Sequence, residues 1–345
     1  MRRSPSSGGS RHRGGGAWPA AVALVALCAH PATRLFAQDQ PLNSGGLFLL
    51  FPVGAQSLGM GQTAAALEGH GESAFLNPAG VGSLSENEFA LHSARLAAGN
   101  TTALTVFFPH HGVGVFGAAF DLVDYGDLPV TDSTSGATIG RVAARNFALL
   151  ATYATQLTGA FALGVTYKLI GFRVDCSGAC QGVPGSGQGL THALDLGGQF
   201  SVGPEHALRV GVALRNLGFA LQVNNRDQAD PLPTRLVVGA AYRIQLRPVN
   251  DGPDADRFDL RVAADLESPW RETGSADVRV GMDVGYRELV RVRGGYAFVH
   301  QGLSGPSIGL GVATGAIGVD LARMFMTGTD LIVTNPTFLS FRVVF

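Results

Sequence analysis

The ten residues RFDLRVAADL, at positions 257–266, decide the fold class because their side chains alternate strictly between two kinds. The odd positions carry Arg257, Asp259, Arg261, Ala263 and Asp265. The even positions carry Phe, Leu, Val, Ala and Leu. Successive side chains of a β-strand point to opposite faces of the sheet. The segment therefore predicts a strand with one ionic face and one hydrocarbon face.

The same alternation recurs in residues 277–286 and 234–246, where Gly and Ala outnumber the charged residues on the polar face. A soluble β-sandwich also alternates, but its charged face points outward and its strands are usually shorter. Strands of about ten residues that alternate in this way are typical of transmembrane barrels. We therefore predict an all-β chain, folded as a transmembrane antiparallel β-barrel.

Strand candidates follow one another from residue 88 to the end of the chain. There are about fourteen: 88–96, 102–108, 112–122, 144–156, 159–172, 191–201, 206–215, 234–247, 257–266, 276–286, 289–298, 304–312, 316–322 and 337–345. Tight connections alternate with four long polar ones, at 123–143, 173–190, 216–233 and 323–336. Short periplasmic turns and long extracellular loops alternate in this way in bacterial barrels. One exception is 248–256, a longer acidic stretch on the side where short turns are expected.

The last strand places four apolar residues on one face: Leu339, Phe341, Val343 and Phe345. An ordinary edge strand could show the same pattern. However, a chain that stops on an aromatic residue resembles the signal read by the barrel-assembly machinery, and a closed barrel leaves no strand edge unpaired. We therefore predict that these residues form an assembly signal.

The amino-terminal residues have the layout of a secretory signal peptide. Arg2, Arg3, Arg11 and Arg13 precede an apolar run at 17–29 and a small residue at Ala37. The alternative is a cytoplasmic protein with a basic tail. Removal of residues 1–37 would leave 20 basic and 26 acidic groups, which argues against a nucleic-acid partner. We predict export to the outer membrane of a Gram-negative-type bacterium.

Two cysteines remain after such cleavage, Cys176 and Cys180, in a loop-like CSGAC segment. In an oxidising compartment a local disulfide is expected. A metal site would need further ligands at suitable spacing, and none is evident in the sequence. No cofactor and no metal are predicted.

Residues 38–87 precede the barrel and contain the segment GAQSLGMGQTAAALEGHGESAFLNPAGVGSL at 54–84. Its composition alone also fits a surface loop, and Thr63–Leu67 could form a short helix. A barrel of about fourteen strands is wider than one filled by its own side chains, so its lumen has room for a plug. We predict the domains 1–37 as signal peptide, 38–87 as a hatch inside the lumen and 88–345 as the barrel.

The ionic faces of the strands must then point into the lumen. This set comprises Arg235, Arg243, Arg257, Asp259, Arg261, Asp265, Arg279, Asp283, Arg291 and Arg293. A salt-bridge ladder that stiffens the barrel and holds the hatch is the favoured interpretation of these charges, and a ligand site is the alternative.

The hatch segment resembles the amino-terminal signature of the PorV/PorQ family. The matching residues are Gly54, Ser57, Leu58, Gly59, Met60, Gly61, Asn77, Pro78, Ala79 and Gly80. Further matches are FALGVTYKLI at 161–170, LRNLG at 214–218, LPTRLVVGAAYR at 232–243 and VRGGYAF at 292–298. Gln62 departs from the family pattern, which usually has Gly there.

The resemblance implies a FadL-like barrel, associated in some relatives with type IX secretion. It predicts a non-enzymatic docking or shuttle component that receives secreted proteins through their carboxyl-terminal sorting domains. The alternative is a FadL-like transporter for hydrophobic small molecules such as long-chain fatty acids, with an apolar pocket near 47–51 and Phe75-Leu76. The other expected partners are outer-membrane lipid and the barrel-assembly machinery.

Overall fold

A computed structural model describes residues 44–179, 187–203, 207–222, 229–246, 258–270, 276–287, 289–300, 304–326 and 335–345. Within these ranges lie fourteen strands: β1 (Glu88–Leu96), β2 (Gly99–His110), β3 (Gly114–Thr131), β4 (Thr138–Thr158), β5 (Phe161–Gly178), β6 (Gly187–Val202), β7 (Leu208–Gly218), β8 (Arg235–Leu246), β9 (Phe258–Pro269), β10 (Asp277–Tyr286), β11 (Val290–Phe298), β12 (Gly305–Thr314), β13 (Ile317–Met324) and β14 (Thr337–Val344).

Each strand pairs antiparallel with its neighbours along the chain, and β1 also pairs with β14, which closes the barrel. At the closure, Leu91 lies opposite Leu104 on one side and Phe341 on the other. No strand edge is left unpaired in the ring, as a barrel in lipid requires. The predicted fourteen-strand antiparallel barrel is confirmed.

The outer surface of the barrel is apolar. Side chains such as Leu149, Phe200, Val292 and Leu310 alternate outward along the strands and are exposed. Outward aromatic residues also surround one end of the barrel: Phe108, Phe116, Tyr153, Phe200, Tyr242, Phe258 and Tyr286. An apolar belt with aromatic residues at its border is typical of barrels in a bilayer.

The strands β3 to β6 extend beyond the predicted boundaries. The sequence interpretation treats 123–143 and 173–190 as loops, but β3 and β4 continue to Thr131 and from Thr138. Leu128 pairs with Val142, which in turn pairs with Cys176. The alternation fades there because both faces of these extensions are partly exposed, although the ladder still satisfies the backbone.

The two ends of the barrel differ. We call the end that carries the β3–β4, β5–β6, β7–β8 and β13–β14 connections the long-loop end, and the opposite end the short-turn end. The described part of the hatch, residues 44–87, begins at the long-loop end, where the Gly45 N–H donates to the Pro231 carbonyl at 2.9 Å. The hatch leads into β1 at the short-turn end.

Short helices make up much of the hatch: 3-10 helices at Leu47–Leu50, Gly71–Phe75 and Pro78–Ser83, and the α-helix α1 (Ala55–Gly59). Helix α1 packs against β11 to β14, and the last 3-10 helix packs against β4 to β6. The predicted position of the hatch inside the lumen is confirmed. Among the described residues, no helix has the length and hydropathy needed to cross a membrane.

The expected helix at Thr63–Leu67 is wrong. The N–H groups of Ala64 and Ala65 donate to the Asp265 carboxylate at 2.6 and 2.9 Å. The Gln199 amide donates to the carbonyls of Ala65 and Leu67 at 3.0 and 2.8 Å. The barrel wall thus supplies the hydrogen bonds that a helix would have made internally.

Candidate ligand site between hatch and wall

The lumen has an apolar half and a charged half. The apolar half is lined by inward residues of β2 to β6, among them Ala103, Ala119, Ala148, Leu150 and Ile170, which pack as one cluster with hatch residues. The charged half is lined by β8 to β13 and contains most of the lumen arginines and aspartates. The same alternating strands therefore build two different linings.

Two cavities lie between the hatch and the wall. The smaller is lined by Leu49, Phe51, Val53, Phe75, Ala148 and Leu150, together with the charged Asp121, Lys168 and Arg215. The larger is lined by hatch residues 50–52, Ser57, Gln62, Ala64, Ala65 and Leu76 and by wall residues Arg215, Val237, Asp265, Glu267 and Arg279. Phe51 and Arg215 line both, so the two spaces are adjacent.

The smaller cavity lies where the apolar pocket is expected, beside 47–51 and Phe75. Phe48 and Phe75 are almost fully buried against the wall, and Phe51 and Leu76 are partly buried. The hatch therefore presents an apolar surface to an apolar wall. Concave sites with this composition and a few polar groups bind small molecules.

A buried ion pair lies at one side of the smaller cavity. Lys168 Nζ lies 2.6 Å from an Asp195 carboxylate oxygen and donates to the Asn216 side-chain oxygen at 2.7 Å. The register of β6 against β7 shifts between Leu194 and Leu196. Asn216 lies at this shift and has a left-handed backbone with φ 58°. This geometry lets the Asn216 N–H donate to Asp195 at 2.7 Å, so the aspartate has two partners.

Glu267 lies between three arginines beside the larger cavity. Its carboxylate lies 2.6 Å from Arg279, 3.5 Å from Arg215 and 3.8 Å from Arg235. Arg215 also donates to the carbonyl of Leu49 at 3.3 Å. A carboxylate shared in this way keeps the arginines compensated at the boundary between the two halves of the lumen.

The charged half contains a chain of ion pairs. Arg291 lies 3.0 Å from Asp283 and 3.4 Å from Asp259, and Arg293 bridges Asp283 and Asp320. Asp265 lies opposite Arg279, but its carboxylate instead accepts the hatch N–H groups of Ala64 and Ala65. Arg243 and Arg261 lie directly opposite each other, so this pair does not follow the expected alternation of sign. Arg257 lies outside the described residues.

The glycines of the hatch motif occupy crowded positions. Gly61 has φ 67° and lies against the backbones of β10 and β11, and Gly59 lies against Gly309 of β12. Gly54, with φ 91°, lies against the Glu72 carboxylate, and Gly80 lies close to the Leu67 carbonyl. Leu58 and Met60 are fully buried. The Ser57 hydroxyl donates to the Val53 carbonyl at 3.2 Å.

Asn77 fastens the second half of the motif. Its side-chain oxygen accepts the Ala79 N–H at 3.1 Å, and its amide donates to the Ala65 carbonyl at 2.6 Å. Pro78 begins the last 3-10 helix, where a missing N–H costs nothing. Asn77 thereby links the last 3-10 helix to the Ala65 backbone within the hatch.

Two hatch residues, Glu72 and His70, have strongly shifted pKa values. Burial raises the pKa of the Glu72 carboxyl to about 8, and the nearby Asp320 acts in the same direction. The Ser57 N–H donates to this carboxyl at 3.0 Å. Burial, together with the charges of Arg342, Arg293, Arg261 and Arg291, holds the pKa of His70 well below its ordinary value. Both side chains are therefore uncharged at neutral pH.

The remaining predicted site residues lie away from the cavities. Cys176 is near the end of β5 and is disulfide-bonded, whereas Cys180 lies outside the described residues, so their pairing stays a prediction. Leu339, Phe341 and Phe345 are exposed on the outer face, and Val343 is partly exposed. The Phe345 N–H donates to the Asn87 carbonyl at 3.0 Å, but recognition by assembly machinery also stays a prediction.

Sequence reasoning missed several residues of the cavity region: Lys168, Asp195, Asn216, Arg215 and Glu267. Lys168 carried one available signal, since it is the only lysine of the chain and the other residues of the predicted strand 159–172 are uncharged. Its partner could not be found from spacing, because Asp195 and Asn216 come from two further strands. The pairing depends on the barrel register and on the β6–β7 register shift.

No protein-family model and no curated protein matches this sequence, so membership of the PorV/PorQ family and a role in type IX secretion stay predictions. Solved structures do match. The toluene transporter TbuX of Ralstonia pickettii aligns with TM-score 0.55 and 15% identity over 85% of this chain and 98% of that one. The toluene transporter TodX of P. putida aligns with TM-score 0.55 and 13% identity over the same shares.

The monoaromatic hydrocarbon channel CymD aligns with TM-score 0.50 and 14% identity, over 85% of this chain and 97% of that one. The alignments cover nearly the whole length of each matched protein. Sequence identity at this level establishes the shared architecture alone. The chain therefore has the fold of these hydrocarbon transporters and channels and forms a closed fourteen-strand barrel.

Proposed function

We propose that this chain is an outer-membrane transporter for small hydrophobic molecules, which bind between the hatch and the apolar half of the lumen. The observation that carries the proposal is the cavity lined by Leu49, Phe51, Phe75, Ala148 and Leu150. Apolar side chains of the hatch and of the wall face each other there, which is the kind of lining that a small hydrophobic ligand requires. Delivery to the outer membrane by the signal peptide at 1–37 is part of the proposal.

The cavity dimensions favour a compact ligand. The two adjacent cavities are narrow, so a ligand that enters them must displace lining side chains. We infer that a single aromatic ring or a short alkyl chain fits better than an extended long-chain fatty acid. The toluene and monoaromatic transporters that share the fold support this choice.

Binding such a ligand needs no covalent chemistry. Apolar side chains remove the ligand from water, which contributes roughly 25 cal/mol for each Å² of apolar surface buried. The nearby charges of Lys168 and Arg215 are paired with Asp195 and Glu267, and the Asp121 carboxylate accepts the Thr101 hydroxyl at 3.2 Å. A neutral ligand can therefore occupy the apolar space without breaking these contacts.

The route to the cavity starts at the long-loop end. The first described hatch residues lie there, next to the β7–β8 connection, and Leu221 and Leu232 of that connection pack with Phe48 and Leu49. These side chains give a hydrophobic solute an apolar path toward the cavity. Farther along, the hatch is fastened to the wall by Asp265, Gln199 and Glu88, so onward movement requires these contacts to loosen.

The experiment is an uptake assay with a matched pair of variants. Ala148 is buried and lines the smaller cavity, whereas Ala151 on the same strand is exposed on the outer face. Ala148→Phe fills the cavity, and Ala151→Phe adds the same ring on the lipid side. The two variants are expressed in a Gram-negative host that lacks its own hydrocarbon channels, and the initial uptake of radiolabelled toluene is measured.

We expect Ala148→Phe to reduce the channel-dependent uptake at least about tenfold and Ala151→Phe to leave it unchanged. Folding of both variants is checked by the heat-dependent shift of the barrel in gel electrophoresis. Equal uptake in cells with and without the wild-type chain, for toluene and for longer hydrocarbons, would contradict the proposal. Equal loss in both folded variants would show that the cavity is not the binding site.

A further inference from the structure

The short-turn half of the lumen contains arginines that the proposed transport does not use. Arg243 of β8 and Arg261 of β9 are direct cross-strand partners, and both side chains point into the lumen. The outward neighbours of Arg243 and Arg261 include Tyr242 and Val262, which are exposed. Like charges directly opposite each other in a sheet are destabilising, so this pair needs compensation from elsewhere.

The neighbouring acids compensate these two arginines incompletely. The described residues of β8 to β13 near the short-turn end include four arginines and three aspartates. These are Arg243, Arg261, Arg291 and Arg293, and Asp259, Asp283 and Asp320. The aspartates are engaged by Arg291 and Arg293 at 3.0 to 3.5 Å or closer. Across β8 to β11, the residues that lie directly opposite one another are Arg243, Arg261, Asp283 and Arg293. Their charges are positive, positive, negative and positive.

Arg243 reaches only Asp259, at 3.9 Å, and 40% of its side chain is exposed. Arg261 makes no hydrogen bond and no ion pair within 4.0 Å in the described part of the chain. Asp283 and Asp259 attract the Arg261 charge, but both acids have closer arginine partners. Among the described residues, the Arg261 guanidinium therefore has no direct partner, and the neighbouring Arg243 guanidinium is only weakly paired.

The hatch leaves space in front of these arginines. A Cβ atom added to Gly69 would meet no other atom within 4 Å, so the turn at 68–70 borders open lumen. Glu68 is engaged with Arg209, which lies in the same electrostatic neighbourhood as Arg243 and Arg261. His70 follows, and the charges of Arg342, Arg293, Arg261 and Arg291 act on its ring. The local potential is therefore positive, and the exposed part of Arg243 keeps the region accessible.

We propose that this region binds a small oxyanion, a phosphate or carboxylate group, between Arg243, Arg261 and the hatch turn at 68–70. Guanidinium groups present planar pairs of N–H donors that match the oxygens of such anions. An oxyanion here would relieve the repulsion between Arg243 and Arg261 and supply Arg261 with its missing partner. The site is separate from the apolar cavity and does not depend on the proposed transport function.

The test is titration calorimetry on the full chain, purified in a neutral detergent. Inorganic phosphate and acetate are the two probes, and ionic strength is held constant with sodium chloride. We expect saturable binding of at least one probe. Phosphate alone would assign the site to phosphate groups, acetate alone to carboxylates, and both to oxyanions in general.

Arg261→Gln should weaken the binding at least about tenfold, because it removes one charge-assisted pair of hydrogen bonds. The control is Arg173→Gln, which removes an exposed arginine paired with Asp175 far from this site and should leave affinity unchanged. Arg261→Lys keeps the charge without the fork and should weaken binding less, which also covers a failure of the first variant to fold. Absence of saturable binding, or equal affinity in wild type and the two Arg261 variants, would overturn the proposal.

Discussion

The two halves of the lumen are built by strands with the same alternation, but they contact the hatch in different ways. In the apolar half, Ala, Leu and Ile from β2 to β6 face hatch residues such as Phe48 and Phe75 through nonpolar contacts. In the charged half, Asp265, Ser307 and Ser340 accept N–H groups of the hatch backbone at 2.6 to 3.0 Å. The charged half holds the hatch by several directional bonds, whereas the apolar half contributes those of Gln199 and otherwise makes nonpolar contacts beside the cavity.

This difference shows how a plug can be firmly held and still leave a binding site. Directional bonds place the hatch backbone at defined positions, while apolar packing tolerates exchange of one nonpolar group for another. A ligand that enters on the apolar side replaces weak contacts. The hatch then remains attached through the opposite side.

The largest expected effect comes from breaking the one buried ion pair of the apolar half. Asp195→Ala leaves Lys168 buried without its acid and should lower the free energy of unfolding by about 3–5 kcal/mol. The double variant Lys168→Met with Asp195→Leu should recover most of this loss, because an apolar pair suits an apolar surrounding. Urea unfolding in detergent measures both. A double variant as unstable as Asp195→Ala would contradict the claim that the surroundings of this pair are apolar.

A smaller effect is expected from loosening the hatch on the charged side. Asp265→Ala removes the acceptor of two hatch N–H groups and should destabilise the docked hatch by about 2–3 kcal/mol. Limited proteolysis of the hatch in the folded barrel reports its release. Asp175→Ala, which breaks only an exposed pair, is the control and should not change the cleavage rate. Cleavage equally slow in Asp265→Ala would mean that packing alone holds the hatch.

Substitution of two glycines can distinguish the cost of steric overlap from the cost of backbone strain. Gly61 and Gly69 both have positive φ, 67° and 80°, but a Cβ at Gly61 would overlap the β10 and β11 backbones, whereas at Gly69 it meets open space. Gly69→Ala should cost about 1 kcal/mol from backbone strain. Gly61→Ala adds a steric cost of about 1–3 kcal/mol. Thermal unfolding of the two variants compares them, and equal losses would argue against tight docking at Gly61.

A further expected effect is a pH dependence of hatch docking through Glu72. Its carboxyl has a pKa of about 8 in the folded chain and an ordinary value of 4.5. The folded state therefore holds this proton between these values while the unfolded state loses it, so the contribution of Glu72 to stability falls as pH rises from about 4.5 to 8. Glu72→Gln should remove this part of the pH profile of hatch proteolysis. An identical profile in wild type and Glu72→Gln would contradict the assignment.

Much of this architecture could be predicted because the lipid imposes a strict period on the sequence. Segments such as 257–266 and 277–286 alternate so strongly that strand, face and barrel follow from them. These inferences depend only on the character of side chains along one strand. The pocket near 47–51 and Phe75 was expected from the resemblance to FadL-like transporters.

The missed features depend on contacts between distant segments. The Thr63–Leu67 segment has helical composition, but the wall residues Asp265 and Gln199 take its hydrogen bonds. Lys168 finds its partners only through the register of three strands. Arg243 and Arg261 become neighbours through one cross-strand pairing that no local pattern reveals.

The most direct test of the central claim is mass spectrometry of the barrel gently extracted from its own outer membrane, with proteins and small molecules identified in one sample. We predict a small hydrophobic molecule in about stoichiometric amount, depleted in Ala148→Phe and retained in Ala151→Phe. A preparation that carries secreted proteins with a common β-sandwich carboxyl-terminal domain, and no hydrophobic molecule sensitive to Ala148→Phe, would contradict the transporter account and favour a docking role in protein secretion.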